Sequence, residues 1–248
     1  DAVGQFERAL QLLDLGDQPD EQQRIEVLLA LLDAQIRSGA AKAAVLTRKR
    51  AIAIIRAHGT IEQLARAATA YDMESSNYVD LDIAAVLDEV HAELPMHDSR
   101  LRVQVLYRLA GSLNGLSGRL GSIERRIELA DAARAMAERP NDPVALGYAL
   151  SCRLDAFLEP EWLEQRIEAA RAVDDLARAT QSRRLEAIAA AAHTCIAMDL
   201  GNISGAHTAG QMRTQLENEL RIAAEAWLAG VQHAGLDALN GEFDNAEQ

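Results

Sequence analysis

From Asp20 to Ile36 the chain reads DEQQRIEVLLALLDAQI, and Ile25, Leu28, Leu29, Leu32 and Ile36 recur at intervals of three and four. That interval places them on one stripe of a helix, the face that turns toward a core. Asp20 is suited to cap the helix start, and Gly39 to stop it. The same pattern returns over Ala43–His58, Ile61–Ala70, Ile83–Leu94, Leu101–Leu113, Ile123–Glu138, Val144–Leu158, Leu163–Ala179 and Leu185–Leu200, with two more helices toward the end. Short breaks such as Asn141-Asp142-Pro143 and Glu159-Pro160 join them. No segment alternates apolar and polar residues as a half-buried strand does, so the expected fold class is all-α.

The helices repeat. Glu124–Glu138 (ERRIELADAARAMAE) aligns without gaps on Glu164–Arg178 (EQRIEAARAVDDLAR), forty residues on. Gly201 and Gly241 are also forty apart, each followed two residues later by Ile203 or Phe243 and five later by Ala206 or Ala246. Tyr107–Leu113 (YRLAGSL) is echoed by Cys152–Leu158 (CRLDAFL) after forty-five. A period near forty fits a long variant of the tetratricopeptide helical hairpin, stacked into a superhelix in which each hairpin covers its neighbour's apolar face. The expected architecture is therefore an α-solenoid of antiparallel hairpins. Residues 1–74 form a first group and 83–248 a second, joined by an irregular acidic segment at 75–82. Phe6, Ala9, Leu10 and Leu13 are already in helical register at the start, and Gly241 opens another hairpin at the end. Both features read as an array continued in a longer parent.

Composition sharpens this picture. Hydrophobic residues are 49% of the chain but aromatic residues only 4%, which favours close helix packing over sheet. The net charge of −13 argues against direct nucleic-acid binding, which needs a basic face. The basic run Thr47–Arg50 (TRKR) reads as a solvated helix face paired with nearby acids. No long apolar span marks a membrane helix, and Cys152 and Cys195 have no metal-ligand or disulfide spacing. Reduced core thiols in a cytoplasmic protein are the expectation.

Catalytic chemistry is not indicated. The segment Gly111–Ser122 (GSLNGLSGRLGS) lacks the Lys-Ser/Thr ending of a phosphate-binding loop and reads as a connection between hairpins. His91 and His97 flank a proline turn with no third ligand nearby, and His193 and Cys195 fall on different helix faces. No cofactor and no metal site is expected. One arrangement stands out. The repeat alignment puts Arg108, Arg153, His193 and His233 at equivalent positions of successive first helices, the row that lines the concave side of such a stack. A ladder of this kind could receive an acidic peptide or an anionic small molecule. Alternatively, its members pair with Asp155, Asp199 and other acids of the array.

The run QFERALQLLD, then RIEVLLALLDAQIRSGAAKAA, SSNYVDLDIAAVLDEVHAELPMHDSRLRVQVLYRLAGSL and ERRIELADAARAMAERPNDPVALGYAL, resembles the helical-repeat region of large actinobacterial LuxR-type and cyclase-linked ATP-binding regulators. The order of these segments and the LPMHDSRLR junction (Leu94–Arg102) carry the resemblance, which spans essentially the whole chain. It implies an ATPase module before the repeats, and often a helix-turn-helix module after them. This region's role would be a non-catalytic sensor and scaffold holding a small-molecule inducer or a partner protein in its groove, with homo-oligomers formed through the parent. No nucleotide-binding residue can be carried over. The alternative is an adaptor that binds a partner's peptide, and more distantly a helical enzyme with a site between hairpins.

Overall fold

The structure is a computed structural model that describes residues 2–15, 20–70, 81–97, 99–114, 123–139, 142–157, 159–220, 223–239 and 241–246. Among these residues there are helices and no strand: α1 (Ala2–Leu15), α2 (Glu21–Arg37), α3 (Ala41–His58), α4 (Ile61–Thr69), α5 (Leu81–Glu93), α6 (Arg100–Asn114) and α7 (Ile123–Glu138). They continue with α8 (Pro143–Ala156), a 3-10 turn (Pro160–Trp162), α9 (Leu163–Thr180), α10 (Arg183–Asp199), α11 (Ile203–Leu220), α12 (Ala223–Leu239) and the short α13 (Phe243–Ala246). Among the described residues no helix is long and apolar enough to cross a membrane.

The packing divides into two compact units, α1–α5 and α6–α13. In the first, each helix packs on the next, and α4 also touches α2. The α2 stripe is buried at Ile25, Leu28, Leu29 and Leu32, and Leu32 meets Ala44 of α3 with Ile36 and Ala70 beside them. α5 packs on α4 and so belongs to this unit, although the sequence groups residues from 83 onward with the later helices. The irregular segment expected at 75–82 lies outside the described residues as far as residue 80. Leu81 and Asp82 already belong to α5.

In the second unit α6 packs on both α7 and α8, and α8 on α7, α9 and α10. Chain neighbours lie antiparallel, and α8 also touches both α6 and α10, the pattern of stacked hairpins. α10 shows what this demands of a sequence. Leu185, Ala189 and Ile196 join a core with Leu150, Leu154, Ala170 and Val173 of α8 and α9. Ala187 and Ala190, on another face of the same helix, meet Leu216 of α11. A helix covered on two sides needs small residues on both, which is why alanine dominates here. α6 runs through Gly111–Asn114, residues expected in a loop, because Leu113 extends its buried stripe from Leu106 and Leu109. The rest of that expected loop, 115–122, lies outside the described residues.

Helix ends follow local rules. Asp20, Thr60, Asp142 and Ser182 each accept a bond from a backbone N–H in the first turn. Gly39, Gly201, Gly241 and Gln181 all take left-handed backbone just past a helix, with φ of 75°, 67°, 80° and 54°. At each, the following N–H bonds back to a carbonyl five residues earlier: Ala40 to Gln35, Asn202 to Ala197, Glu242 to Asp237 and Ser182 to Ala177. Glycine meets this backbone demand without strain at three of the four positions.

Candidate functional sites

Arg108, Arg153, His193 and His233 lie on α6, α8, α10 and α12, respectively. Arg108 is half-buried. The Arg153 guanidinium lies 5.2 Å from the Phe157 ring centroid, with Nη1 3.8 Å from Asp131 Oδ1 on α7. His193 Nε2 lies 2.7 Å from Asp174 Oδ2 on α9. The His233 ring stands edge-on to that of His207 on α11, with centroids 5.5 Å apart. Three of the four therefore face the preceding helix, α7, α9 or α11. The acids they meet are not those the sequence suggested. Asp199 is engaged by Arg166, and the side chain of Asp155 lies outside the described residues.

A separate feature lies in the first unit. On α3 the spacing Arg48, Ile52, Arg56 puts a cation, an apolar side chain and a second cation on one face. Over eight residues of helix the two arginines are roughly 12 Å apart along the axis. With Lys49 of α3 and Asp82 and Val86 of α5 they line an open-sided groove of about 360 Å³. Lys49 Nζ lies 3.7 Å from Asp82 Oδ2, and Arg56 is hydrogen-bonded by Glu89, which raises its pKa further. The lining holds three cations and the Asp82 carboxylate, with Glu89 on Arg56 beside it. The basic run is solvated and paired at Lys49 and Arg50, the latter 3.6 Å from Asp14, but Thr47 and Arg48 are buried.

The second unit contains a buried polar series. Arg126, near the start of α7, is ion-paired with Glu159 just past α8, and Arg166, near the start of α9, with Asp199 at the end of α10. The guanidiniums are 2% and 4% exposed, whereas the carboxylates are 33% and 47% exposed. Each pair thus has a buried cation and a carboxylate that still meets water. Burial pushes the Arg166 guanidinium below its ordinary value, opposed by nearby Cys195 and Glu159. The two arginines are forty residues apart, as are the two acids. Each antiparallel pair is held by this ion pair at the end opposite its chain connection.

The next repeat breaks the series. Ala206 and Leu239 stand where an arginine and an acid would fall. At that end of the α11–α12 pair lie His207, His233 and Asp237 instead, with one donor atom from each within 4.8 Å of the others. His207 Nε2 is 4.0 Å from Asp237 Oδ1, and both side chains are mostly buried. His233 and Asp237 share a face of α12 because they are four residues apart. Farther along the same pair, Arg213 Nε bonds to Glu217 Oε1 at 2.5 Å and its Nη1 to Gln232 Oε1 at 2.8 Å. Gln232 Nε2 reaches Cys195 Sγ at 3.5 Å. Burial raises the Glu217 carboxyl above its ordinary value, partly offset by the Arg213 bond.

No protein-family model matches the chain. A search of curated proteins finds no relative.

Proposed function

We propose that the chain is a non-catalytic binding array, the sensor and scaffold region of a larger ATP-dependent regulator, and that it holds an acidic segment of a partner protein. The observation that carries this reading is the α3–α5 groove. Its cation–apolar–cation face, in a chain of net charge −13, is matched to a ligand with acidic residues flanking an apolar one. The open side, and a lining without an aromatic residue among the described residues, favour a peptide over an enclosed small molecule. The role of the occupant, biasing an attached ATPase between resting and assembled states, follows from the resemblance stated above. It requires that the occupant bind one state better than the other.

The test is fluorescence anisotropy with a labelled peptide of alternating glutamate and leucine. Saturable binding that weakens as salt rises from 50 to about 500 mM is expected, because the contacts are charged and partly exposed. Replacing Lys49 and Arg56 together by alanine should weaken it by roughly tenfold or more. Binding that ignores the double change, or no binding at all, would remove the groove as a site.

A further inference from the structure

We infer that His207, His233 and Asp237 form a binding site for a zinc-class divalent cation that fastens the end of the α11–α12 pair. The same end of α7–α8 and of α9–α10 is held by a buried arginine on an acid, and in α11–α12 the positions of that ion pair are taken by Ala206 and Leu239. A cation held between the two imidazoles and the carboxylate would tie the start of α11 to the end of α12, as the guanidiniums tie the earlier pairs.

The geometry suits such an ion. Zinc holds imidazole nitrogen and carboxylate oxygen at about 2.0–2.2 Å, so tetrahedral donors stand roughly 3.3 Å apart. The three donors already lie within 4.8 Å of one another, and His207 Nε2 is 4.0 Å from Asp237 Oδ1. Closing from 4.8 Å to that spacing takes donor shifts of up to about 1.5 Å, the scale of side-chain rotation. Gly210, one turn beyond His207, presents no side chain toward His233, and even a Cβ there would lie 3.6 Å from His233 Nδ1. Residue 210 therefore does not crowd the ring from that side. Two nitrogen donors and one oxygen favour zinc and its late first-row neighbours over magnesium or calcium, which take oxygen ligands. Three protein ligands leave the fourth position to water.

The experiment is equilibrium titration of the metal-stripped protein with Zn²⁺, read by calorimetry and by melting temperature. One ion per chain and a rise in melting temperature are expected. His207→Ala and His233→Ala should each weaken binding at least about a hundredfold, since losing even an outer partner of a metal ligand costs 10–100-fold. His58→Ala, on the exposed end of α3, should leave it unchanged. Helical dichroism shows whether each variant is folded. For a variant that is not, the unaltered chain supplies the answer through diethyl pyrocarbonate labelling mapped by mass spectrometry. Zinc should protect His207 and His233 and leave His58 reactive. Absence of zinc uptake, uptake that survives both alanine changes, or equal labelling of His207 and His233 with and without zinc would each overturn the assignment.

Discussion

Arg166, near the start of α9, and Asp199, the last residue of α10, meet at the end of their helix pair opposite the connecting turn. The turn at Gln181–Ser182 fixes one end of two antiparallel helices, and the ion pair fixes the other. The guanidinium also sits where the carbonyl end of α10 carries partial negative charge, which favours a cation.

Removing the two partners should not be symmetrical. Asp199→Ala leaves a guanidinium that is 4% exposed without this half-exposed carboxylate, and the expected loss is about 1–3 kcal/mol. Arg166→Met keeps most of the volume and removes the buried charge, so it should cost less than about 1.5 kcal/mol. At roughly 2–4 °C per kcal/mol, thermal melting resolves the two. A methionine variant less stable than the alanine variant would contradict this account of the pair.

Gln181 occupies the left-handed position that glycine fills at Gly39, Gly201 and Gly241. A side chain there crowds its own backbone, so Gln181→Gly should raise stability by roughly 0.5–1 kcal/mol despite the added freedom of the unfolded chain. Urea denaturation would show a higher midpoint at an unchanged slope. A lower midpoint would mean that the glutamine side chain holds this turn.

Asp142 caps α8 through Val144 N and Ala145 N and is paired with Arg100, Nε to Oδ2 at 2.9 Å. The Arg100 bond, with help from the two backbone N–H groups, holds its carboxyl below the ordinary 3.8. A depressed folded value means stability that is present above the unfolded pKa and lost as pH falls through the folded one. Asn at this position still caps but carries no charge. Asp142→Asn should therefore lower the melting temperature at pH 7, and the gap from the parent should close as pH drops below 3.8. A gap that stays constant across that range would rule out the charge as its source.

His193 and Asp174 are 39% and 37% exposed, so their 2.7 Å contact is open to solvent. A double-mutant cycle with alanine at both positions should give a coupling energy below about 1 kcal/mol. A coupling of several kcal/mol would mark the contact as a structural pair of the buried kind.

The apolar stripes made the helices legible in the sequence because burial of Ile25, Leu28, Leu29 and Leu32 is written directly in their spacing. Arg126 and Arg166 were visible only as letters in an aligned segment. A pattern that counts arginine as polar assigns it to water, whereas both guanidiniums lie inside the unit against acids thirty-three residues away. The candidate ladder was read by comparing equivalent positions on successive first helices. Asp131, Asp174 and His207 come from the intervening second helices, so that comparison could not show them. His233 and Asp237 did share a sequence signal, their spacing of four, but His207 joins them only through the packing of α11 on α12.

The matched spacing of the two ion pairs also limits how such a chain can lengthen. Duplicating a whole forty-residue unit, for example 140–179, would set a copy of Glu159 where Arg166 now finds Asp199, and a copy of Arg166 where it finds the original Asp199. Every cation keeps an acid. An insertion within one helix that parts arginine from acid, unlike one absorbed in the connecting turn, would strand a guanidinium inside the fold at a cost of about 3–5 kcal/mol. Expansion of the array by whole periods thereby carries its charge pairing along with it, whereas a change of helix length must find a new partner for the buried cation.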